Sequence, residues 1–596
     1  MRRKKGIRLI IAVLTCTMIF SSCSADALQQ SSDADSPSTE TVSTANTASA
    51  LGYADEIDKT TIMTFEVSAS PGEWQAMLDN AQAEEYIPAD ITINGTTIKN
   101  VGIRPKGNSS LSAVARDETT DRYSFKIKFD EYVKGQTWMG LDKIVLNNNY
   151  SDTTSMKEYL SYDIMSYMGV DAPLYAYANI TVNNENWGFY LAVEDIDSGY
   201  LARVKNDEGE LYKPEGMEMN GNMGNRPDNA EFSGGAGEFP AGAAADNGMA
   251  RPNNPRDRQN GIRGNGQNGM RGGGNGVSLV YTDDSISSYL SIFDNAETKT
   301  DEADHQRVVE AIKNLNEGTD LEKYIDVDTV LRYLAAHTVV VNLDSYSGGM
   351  AHNYYLYEND GQISILPWDY NMAFGGFQSG NASSVVNFPI DTPVSGVTME
   401  ERPLISKLLE VPEYLEKYHQ YLQEIMDGYF SDGKFEQKID ELNTLISEYV
   451  KNDPSAFYTF EEYLSAVAEL KKLGTLRGES IQGQLDGTIP STTDGQTAEP
   501  DKLTDSSSVD MTALGDMRMG GGFVGGGGGM PNMPGGIDMN VIQKALEIIQ
   551  AAQGGTLTDE QRAQLHDLGL SDEQIEQMLT MPAGGFGGGF GGRRGN

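Results

Sequence analysis

The segment VNLDSYSGGMAHNYYLYENDGQISILPWDYNMAFGG, residues 341–376, contains three side chains with hard oxygen atoms, Asp344, Asn353 and Asp369. An aspartate and an asparagine held together suit a small divalent cation, which takes a few protein oxygens and keeps phosphate or water for the rest. A further carboxylate beside them can accept a proton from an attacking hydroxyl. Whether they meet depends on the chain between them. NYYLYE and QISILPWD are strand-like runs around Asp360-Gly361, a two-residue turn of the kind that closes a hairpin. With that turn, Asn359 pairs with Gln362 and Asn353 faces Trp368, the neighbour of Asp369. Opposed residues have Cβ atoms about 5 Å apart, so Asn353 and Asp369 arrive at one end of the hairpin. Asp344, in the glycine-containing loop that feeds the first strand, reaches the same end.

The order aspartate, asparagine, hairpin, aspartate, with Phe374-Gly375 close behind, is that of a phosphoryl-transfer site of the protein-kinase kind. Spacing alone leaves a plainer alternative, in which Asp344 caps a turn and Asp369 satisfies local backbone donors. Asp344 to Asn353 spans nine positions, against about five in the usual kinase catalytic loop. No His-Arg precedes Asp344, and no Gly-rich loop of the usual form is present. The literal G-x-G-x-x-G at 264–269 has neither a strand before it nor a helix after it, so it carries nothing.

The elements that must hold this segment are legible by period. TTIMTFEVSA alternates as a strand, and Ser70-Pro71-Gly72-Glu73 reads as a capping box opening a helix over WQAMLDNAQ. ADITINGTTIKNVGIR is a hairpin turned at Asn94-Gly95, and LYAYANITVNNENWGFYLAVED is another. In RYSFKIKFD, Phe125, Ile127 and Phe129 share one face, Lys126 and Lys128 the other. Met156, Leu160, Ile164 and Met168 recur every four residues, an amphipathic helix over about 153–168. ADHQRVVEAIKNLNEG and DVDTVLRYLAAHTVVVNL read as helices, and residues 400–480 are mostly amphipathic helix.

Flanking these are segments of other composition. Arg2 to Lys5, the apolar GIRLIIAVLTCTMIF and then Ser21-Ser22-Cys23 read as a secretory signal over 1–22. Phe20 to Cys23 resembles a bacterial lipobox, with lipid expected on Cys23; an ordinary signal peptide is the alternative. Cys16 and Cys23 are the two cysteines of the chain, so no disulfide, thiolate metal site or cysteine nucleophile is expected in the exported protein. Residues 23–55 read as a Ser/Thr-rich tether, 217–276 as a disordered Gly/Asn/Met-rich insertion and 483–537 as a linker. Residues 538–582 read as a small helical bundle and 583–596 as a Gly-rich tail. The net charge of −42 argues against nucleic acid or anionic lipid as a general partner. The hydrophobic fraction of 39% is enough for a sizeable core over 56–482.

Seven stretches in order carry a resemblance: GIRPKGNSSL, YSFKIKFD, DTTSMKEYL, WGFYLAVEDID, ELYKPEG, NLDSYSGGMAHNYYLY and LPWDYNMAFGG. Together they resemble the CotH kinase family, first known from bacterial spore coats, over roughly 60–480. That resemblance implies an α+β chain with a two-lobed atypical protein-kinase-like fold that binds ATP with Mg²⁺ or Mn²⁺ and phosphorylates Ser/Thr in proteins. It implies Asp344 as the catalytic aspartate, Asp369 as a metal ligand and Asn353 as the second. Lys126 is the implied phosphate-contacting lysine, with Lys128 its rival, and Glu158 the implied partner that fixes the lysine. Arg104, Lys106, Gly107, Asn108 and Ser109 resemble the loop over the phosphates, and Glu194 lies in the segment resembling the hinge. An exported, lipid-anchored protein at the outer face of the cell membrane is expected, touching the membrane through its N-terminal lipid only. The alternative is a surface adhesin or scaffold that binds a protein partner without catalysis. Paired carboxylates also raise a carbohydrate-active enzyme, but the sequence places no pair at glycosidase spacing.

Overall fold

The computed structural model describes residues 51–216, 276–515 and 558–567. The signal segment with Cys23, the tether up to residue 50, the insertion up to 275, and residues 516–557 and 568–596, which hold the Gly-rich tail and all but 558–567 of the expected helical bundle, fall outside the described residues.

The first half is built on hairpins. A short helix α1 (Tyr53–Glu56) precedes β1 (Ile62–Ala69), whose alternation buries Met63, Phe65 and Val67. Helix α2 (Pro71–Asp79) starts on the fixed φ of Pro71; Ser70 makes no side-chain cap bond, so the expected capping box does not form. Strands β2 (Ile87–Ile93) and β3 (Thr96–Lys106) turn at Asn94-Gly95, both at positive φ (47° and 84°), the twist that a two-residue hairpin needs. There follow α3 (Ser109–Val114), β4 (Ser124–Lys128), β5 (Lys143–Asn147), α4 (Lys157–Tyr167), and a second hairpin of β6 (Tyr175–Val182) and β7 (Glu185–Glu194). Helix α5 (Ser198–Val204) is capped by Asp197, which accepts from the Gly199 amide at 3.0 Å.

These strands close into a barrel in the order β1-β2-β3-β4-β5-β7-β6. Every pairing is antiparallel except the seam, where β1 runs parallel to β6 from Ile62 opposite Tyr177 to Val67 opposite Val182. The lumen is a packed core containing Phe65, Ile91, Ile103, Phe125, Ile127 and Ile144, with Trp74 of α2 reaching Phe125 at 5.4 Å between ring centres. The chain is α+β as expected, but it is not the expected two-lobed protein-kinase-like fold. The closed seven-stranded barrel, a separate three-stranded sheet and the helices overturn that reading. The hairpins are local and announced themselves in the sequence. The seam joins residues more than a hundred positions apart through a parallel pairing that no turn signals.

The outer wall of the barrel is apolar on one side, where Val145, Tyr175, Tyr177, Leu191 and Val193 join the core that includes Leu160 and Ile164 of α4. The second half completes that core with β8 (Glu210–Tyr212), α6 (Leu290–Phe293), α7 (Glu302–Glu317), α8 (Leu321–Tyr324) and α9 (Val327–Val340). The hairpin β9 (Tyr354–Asn359) and β10 (Gln362–Pro367) has the expected register, Gln362 opposite Asn359 and Pro367 opposite Tyr354, and sits in a sheet of order β10-β9-β8. Then come α10 (Ala382–Val386), α11 (Pro403–Leu409), α12 (Pro412–Ile425), α13 (Lys434–Lys451), α14 (Phe460–Leu485) and α15 (Thr493–Ala498). Within the stretch expected to be linker, the chain after α15 returns to α4: Leu514 is buried and the Gly515 carbonyl accepts from Lys157 Nζ at 2.9 Å. A last described helix is Asp559–Asp567.

A buried ion pair locks the barrel wall to the helices. Arg122, 3% exposed, donates to Asp453 Oδ2 at 2.6 Å, Ser455 Oγ at 2.8 Å and the Asn148 carbonyl at 3.0 Å. Asp453 also accepts from the Phe189 amide of β7 at 3.0 Å. Removing one partner of such a pair strands the other charge in the interior. Asp453→Ala is therefore expected to lower unfolding free energy by about 3–5 kcal/mol, read as a lower urea midpoint at unchanged slope.

Candidate active site

The expected hairpin register sets Asn353 and Asp369 at the open end of the hairpin. Asn353 precedes β9, Asp369 follows the last paired residue of β10 by two, and both are left-handed, with φ of 53° and 59°. Asn and Asp tolerate that conformation better than other non-glycine residues. The turn after Asp369 is fastened to the end of α9. Val341, the C-cap of that helix, is at φ 49°; the Phe374 amide donates to the Val340 carbonyl at 2.6 Å and the Gly375 amide to the Val341 carbonyl at 3.2 Å. The Phe374-Gly375 corner thus satisfies carbonyls that the helix end leaves open, and the φ of 74° at Gly375 suits glycine.

Asp344 is buried and both of its carboxylate oxygens are engaged. His352 Nε2 meets Oδ1 at 2.6 Å, and Asn353 Nδ2 donates to Oδ2 at 3.1 Å and to the Asp344 carbonyl at 2.9 Å. That leaves the Asn353 amide oxygen for a further partner. Asp369 is held by its backbone: its N–H donates to the Tyr162 hydroxyl at 3.1 Å and its carbonyl accepts from Asn342 Nδ2 at 3.4 Å. Among the described residues its carboxylate has no hydrogen-bond or ion-pair partner. Glu158 on α4 is buried and accepts from Asn147 Nδ2 at 3.1 and 2.9 Å.

The lysines are distributed differently from the expectation. Lys126 pairs with Asp195 at 2.6 Å, so the expected Lys126–Glu158 pair does not form. Alternation explains this. Lys126, Val145 and Val193 lie in one row across β4, β5 and β7, and Asp195 continues that outward face. The rival Lys128 pairs with Glu131 at 3.0 Å. Lys106, at the end of β3, stands over the Trp368 ring at 5.7 Å and has no ion pair among the described residues. Its opposing charges are Asp369 and Glu158. Gly107, Asn108 and Ser109 form the turn from Lys106 into α3, Asn108 and Ser109 exposed at the rim.

Two expected residues do not join this cluster. Arg104 is paired with Glu84 and lies over the Tyr86 ring at 5.2 Å. Glu194 falls on the opposite face from Asp195 and is a saturated structural anchor. It accepts from Arg203 at 2.5 and 3.0 Å, from the Tyr53 hydroxyl at 2.6 Å and from the Leu174 amide at 2.9 Å.

Burial, with like charge adding to it at the carboxyls, sets the electrostatics. Burial first, and then Asp369, push the Glu158 carboxyl up to about 7, against the Asn147 amide and Lys106. Burial raises Asp344 as well; His352 opposes this and Asp369 adds to it. His352 is raised because the contact with Asp344 outweighs burial. Burial pushes the Lys106 ammonium down from the usual lysine range, opposed by Asp369 and Glu158. Asp195 is the contrast: burial disfavours its charge, but Lys126 and Lys143 hold it at about 2. An unpartnered carboxylate, an open amide oxygen and two further carboxyls driven toward neutrality are a donor set that a cation would complete. Among the described residues no group of three His, Cys, Asp or Glu side chains is arranged to hold a metal ion.

Several contributors escaped the sequence reading: His352, Tyr162, Asn147 and Asp195. His352 adjoins Asn353 and could have been found from that adjacency. Asp195 could have been found by carrying the alternation of β7 one residue further. Tyr162 and Asn147 meet the site only through the packing of α4 on the barrel wall.

The sequence profile described as CotH kinase protein matches residues 103–481. The inner spore coat protein H of Bacillus subtilis (strain 168) is 23% identical over 330 residues, covering 54% of this chain and 73% of that protein.

Glu158 gives a signed test. Its folded carboxyl, at about 7, binds a proton more tightly than the unfolded one at 4.5. Its contribution to stability is therefore present below 4.5, falls as pH rises through that window and stays lost above about 7. Glu158→Gln keeps an oxygen for Asn147 without the charge. The variant is expected to be more stable than wild type at about pH 8, by up to about 3 kcal/mol, with the difference fading toward about pH 4.5, measured by denaturant melts across pH.

Proposed function

The chain belongs to the CotH kinase protein family, and on that premise we propose that it transfers the γ-phosphoryl group of ATP to Ser/Thr hydroxyls of a protein substrate. The observation that carries this reading is the unpartnered Asp369 carboxylate, crowded by Glu158 and Asp344 and faced by the unpaired Lys106. A divalent ion, Mg²⁺ or Mn²⁺, would neutralise charge on the transferring phosphoryl group. Asp369 and the Asn353 amide oxygen would hold it. Lys106 takes the phosphate-contacting role first given to Lys126, because Lys126 is committed to Asp195. Gly107, Asn108 and Ser109 offer a turn at the rim over the phosphates. Asp344 orients the acceptor hydroxyl and takes its proton as the oxygen attacks the γ-phosphorus. The bond to the β-phosphate oxygen then breaks and its electron pair leaves with ADP.

An exported, lipid-anchored protein acting at an outer surface is part of this proposal; the relative's name places that protein in the inner spore coat. Among the described residues no helix is long and apolar enough to cross a membrane. One observation favours the second reading, a scaffold that binds without catalysis: both oxygens of Asp344 are already engaged, by His352 and Asn353.

The test is incubation with γ-labelled ATP, Mg²⁺ or Mn²⁺ and a Ser/Thr-rich acceptor such as dephosphorylated casein. Wild type is expected to label the acceptor, and Asp344→Ala and Asp369→Ala to fall by roughly 100-fold or more. No labelling in any protein, or equal labelling in all three, would overturn phosphoryl transfer and leave the scaffold reading.

A further inference from the structure

Behind the two loops that carry Asp344 and Asp369 lies a histidine with no place in the chemistry so far. His337, in the last turn of α9, is 2% exposed, and both ring nitrogens are engaged. Nε2 meets Ser347 Oγ at 2.7 Å and Nδ1 meets the Tyr370 hydroxyl at 2.8 Å. The Tyr370 hydroxyl in turn donates to Tyr333 at 3.2 Å, and the Tyr333 ring stacks on the imidazole at 5.3 Å between centres. One direction satisfies this chain with a neutral ring protonated at Nδ1. The Ser347 hydroxyl donates to Nε2, the nearer of its two acceptors, the other being the Asn342 carbonyl at 3.3 Å; Nδ1–H donates to Tyr370, and Tyr370 donates to Tyr333. Burial, which drives the imidazole down to about 3, keeps it neutral.

The two arms end on different loops. Ser347 lies three residues beyond Asp344, and Tyr370 is the neighbour of Asp369. A planar ring on a buried helix thus links the two loops that carry the candidate carboxylates. A second brace runs parallel to it. Asn342 accepts from the Asp344 amide through Oδ1 at 3.2 Å and donates to the Asp369 carbonyl through Nδ2 at 3.4 Å. We propose that His337 is a positioning residue that fixes the separation of Asp344 and Asp369, acting through Ser347 and Tyr370. The proposal rests on the reading of Asp369 and Asn353 as metal ligands. Groups bonded directly to a metal ligand are worth about 10–100-fold in metal affinity; His337 acts one residue further away, through the loops, so the lower end of that range is expected.

The test measures Mn²⁺ binding, from the electron paramagnetic resonance signal of the free ion, in the presence of a non-hydrolysable ATP analogue. Ser347→Ala and Tyr370→Phe each remove one arm with little change of volume, and His337→Leu removes both. Each is expected to weaken Mn²⁺ binding roughly tenfold while leaving affinity for the metal-free analogue unchanged. The Ser347→Ala/Tyr370→Phe double variant is expected to lose little more than either single one, because either break frees the ring. Phosphoryl transfer should show a raised KM for the metal–ATP complex, in step with the weaker Mn²⁺ binding, together with a lower kcat. Should His337→Leu not fold, the two single-arm variants carry the test. Folded variants that bind Mn²⁺ as wild type does, or that lose metal-free analogue to the same degree, would overturn the positioning role. A wild type that binds no Mn²⁺ with the analogue would instead overturn the metal-site reading on which the role stands.

Discussion

Three carboxyl groups, Glu158, Asp344 and Asp369, share one region with a single unpaired lysine, Lys106, and the surrounding architecture holds that crowding in place. Left to themselves, like charges in a partly buried site would spread apart or take up protons. Glu158 and Asp344 are pushed toward the protonated form. What keeps them together is that each sits on a different rigid support. Glu158 stands on α4, itself packed on the barrel wall; Asp344 leaves the end of α9; Asp369 ends the β9–β10 hairpin. Lys106 comes from a fourth, the end of β3.

The closed barrel matters here for its outer face more than for its lumen. A closed sheet has no edge to fray, so the row through Lys126, Val145 and Val193 is fixed relative to α4. The Arg122–Asp453 pair then ties this wall to the connection between α13 and α14. Left-handed backbone occurs along much of the described chain and also at the candidate site. Val341, Asn353, Asp369 and Phe374 all have positive φ, and the surrounding hydrogen bonds impose it. Such conformations are costly and persist only where neighbours over-determine them.

Much of the candidate site was legible because it is local. The Asp360-Gly361 turn fixed the register, and with it the approach of Asn353 to Asp369. The same logic located the Asn94-Gly95 hairpin and the buried face of Phe125, Ile127 and Phe129. What failed depended on pairings between distant segments. Barrel closure rests on a parallel β1–β6 seam with no turn to announce it, so the kinase-like fold that family resemblance suggested was not corrected by any residue pattern. The partner of Lys126 turned on which of two adjacent acids, Glu194 or Asp195, faces outward, and that follows from where β7 meets the barrel. Ser70-Pro71-Gly72-Glu73 matched a capping pattern, yet the structure leaves Ser70 without the bond, since Pro71 already sets the helix start.

The central claim is that the crowded carboxylates are completed by a metal ion carrying nucleotide phosphate. Calorimetric titration of a non-hydrolysable ATP analogue into wild type and Asp369→Asn, with and without Mg²⁺, tests it most directly. The account predicts that Mg²⁺ tightens analogue binding to wild type at least about tenfold, on the scale seen when metal-site groups are lost, and that Asp369→Asn abolishes the gain. Binding of equal strength with and without Mg²⁺, or a gain that survives intact in Asp369→Asn, would contradict it.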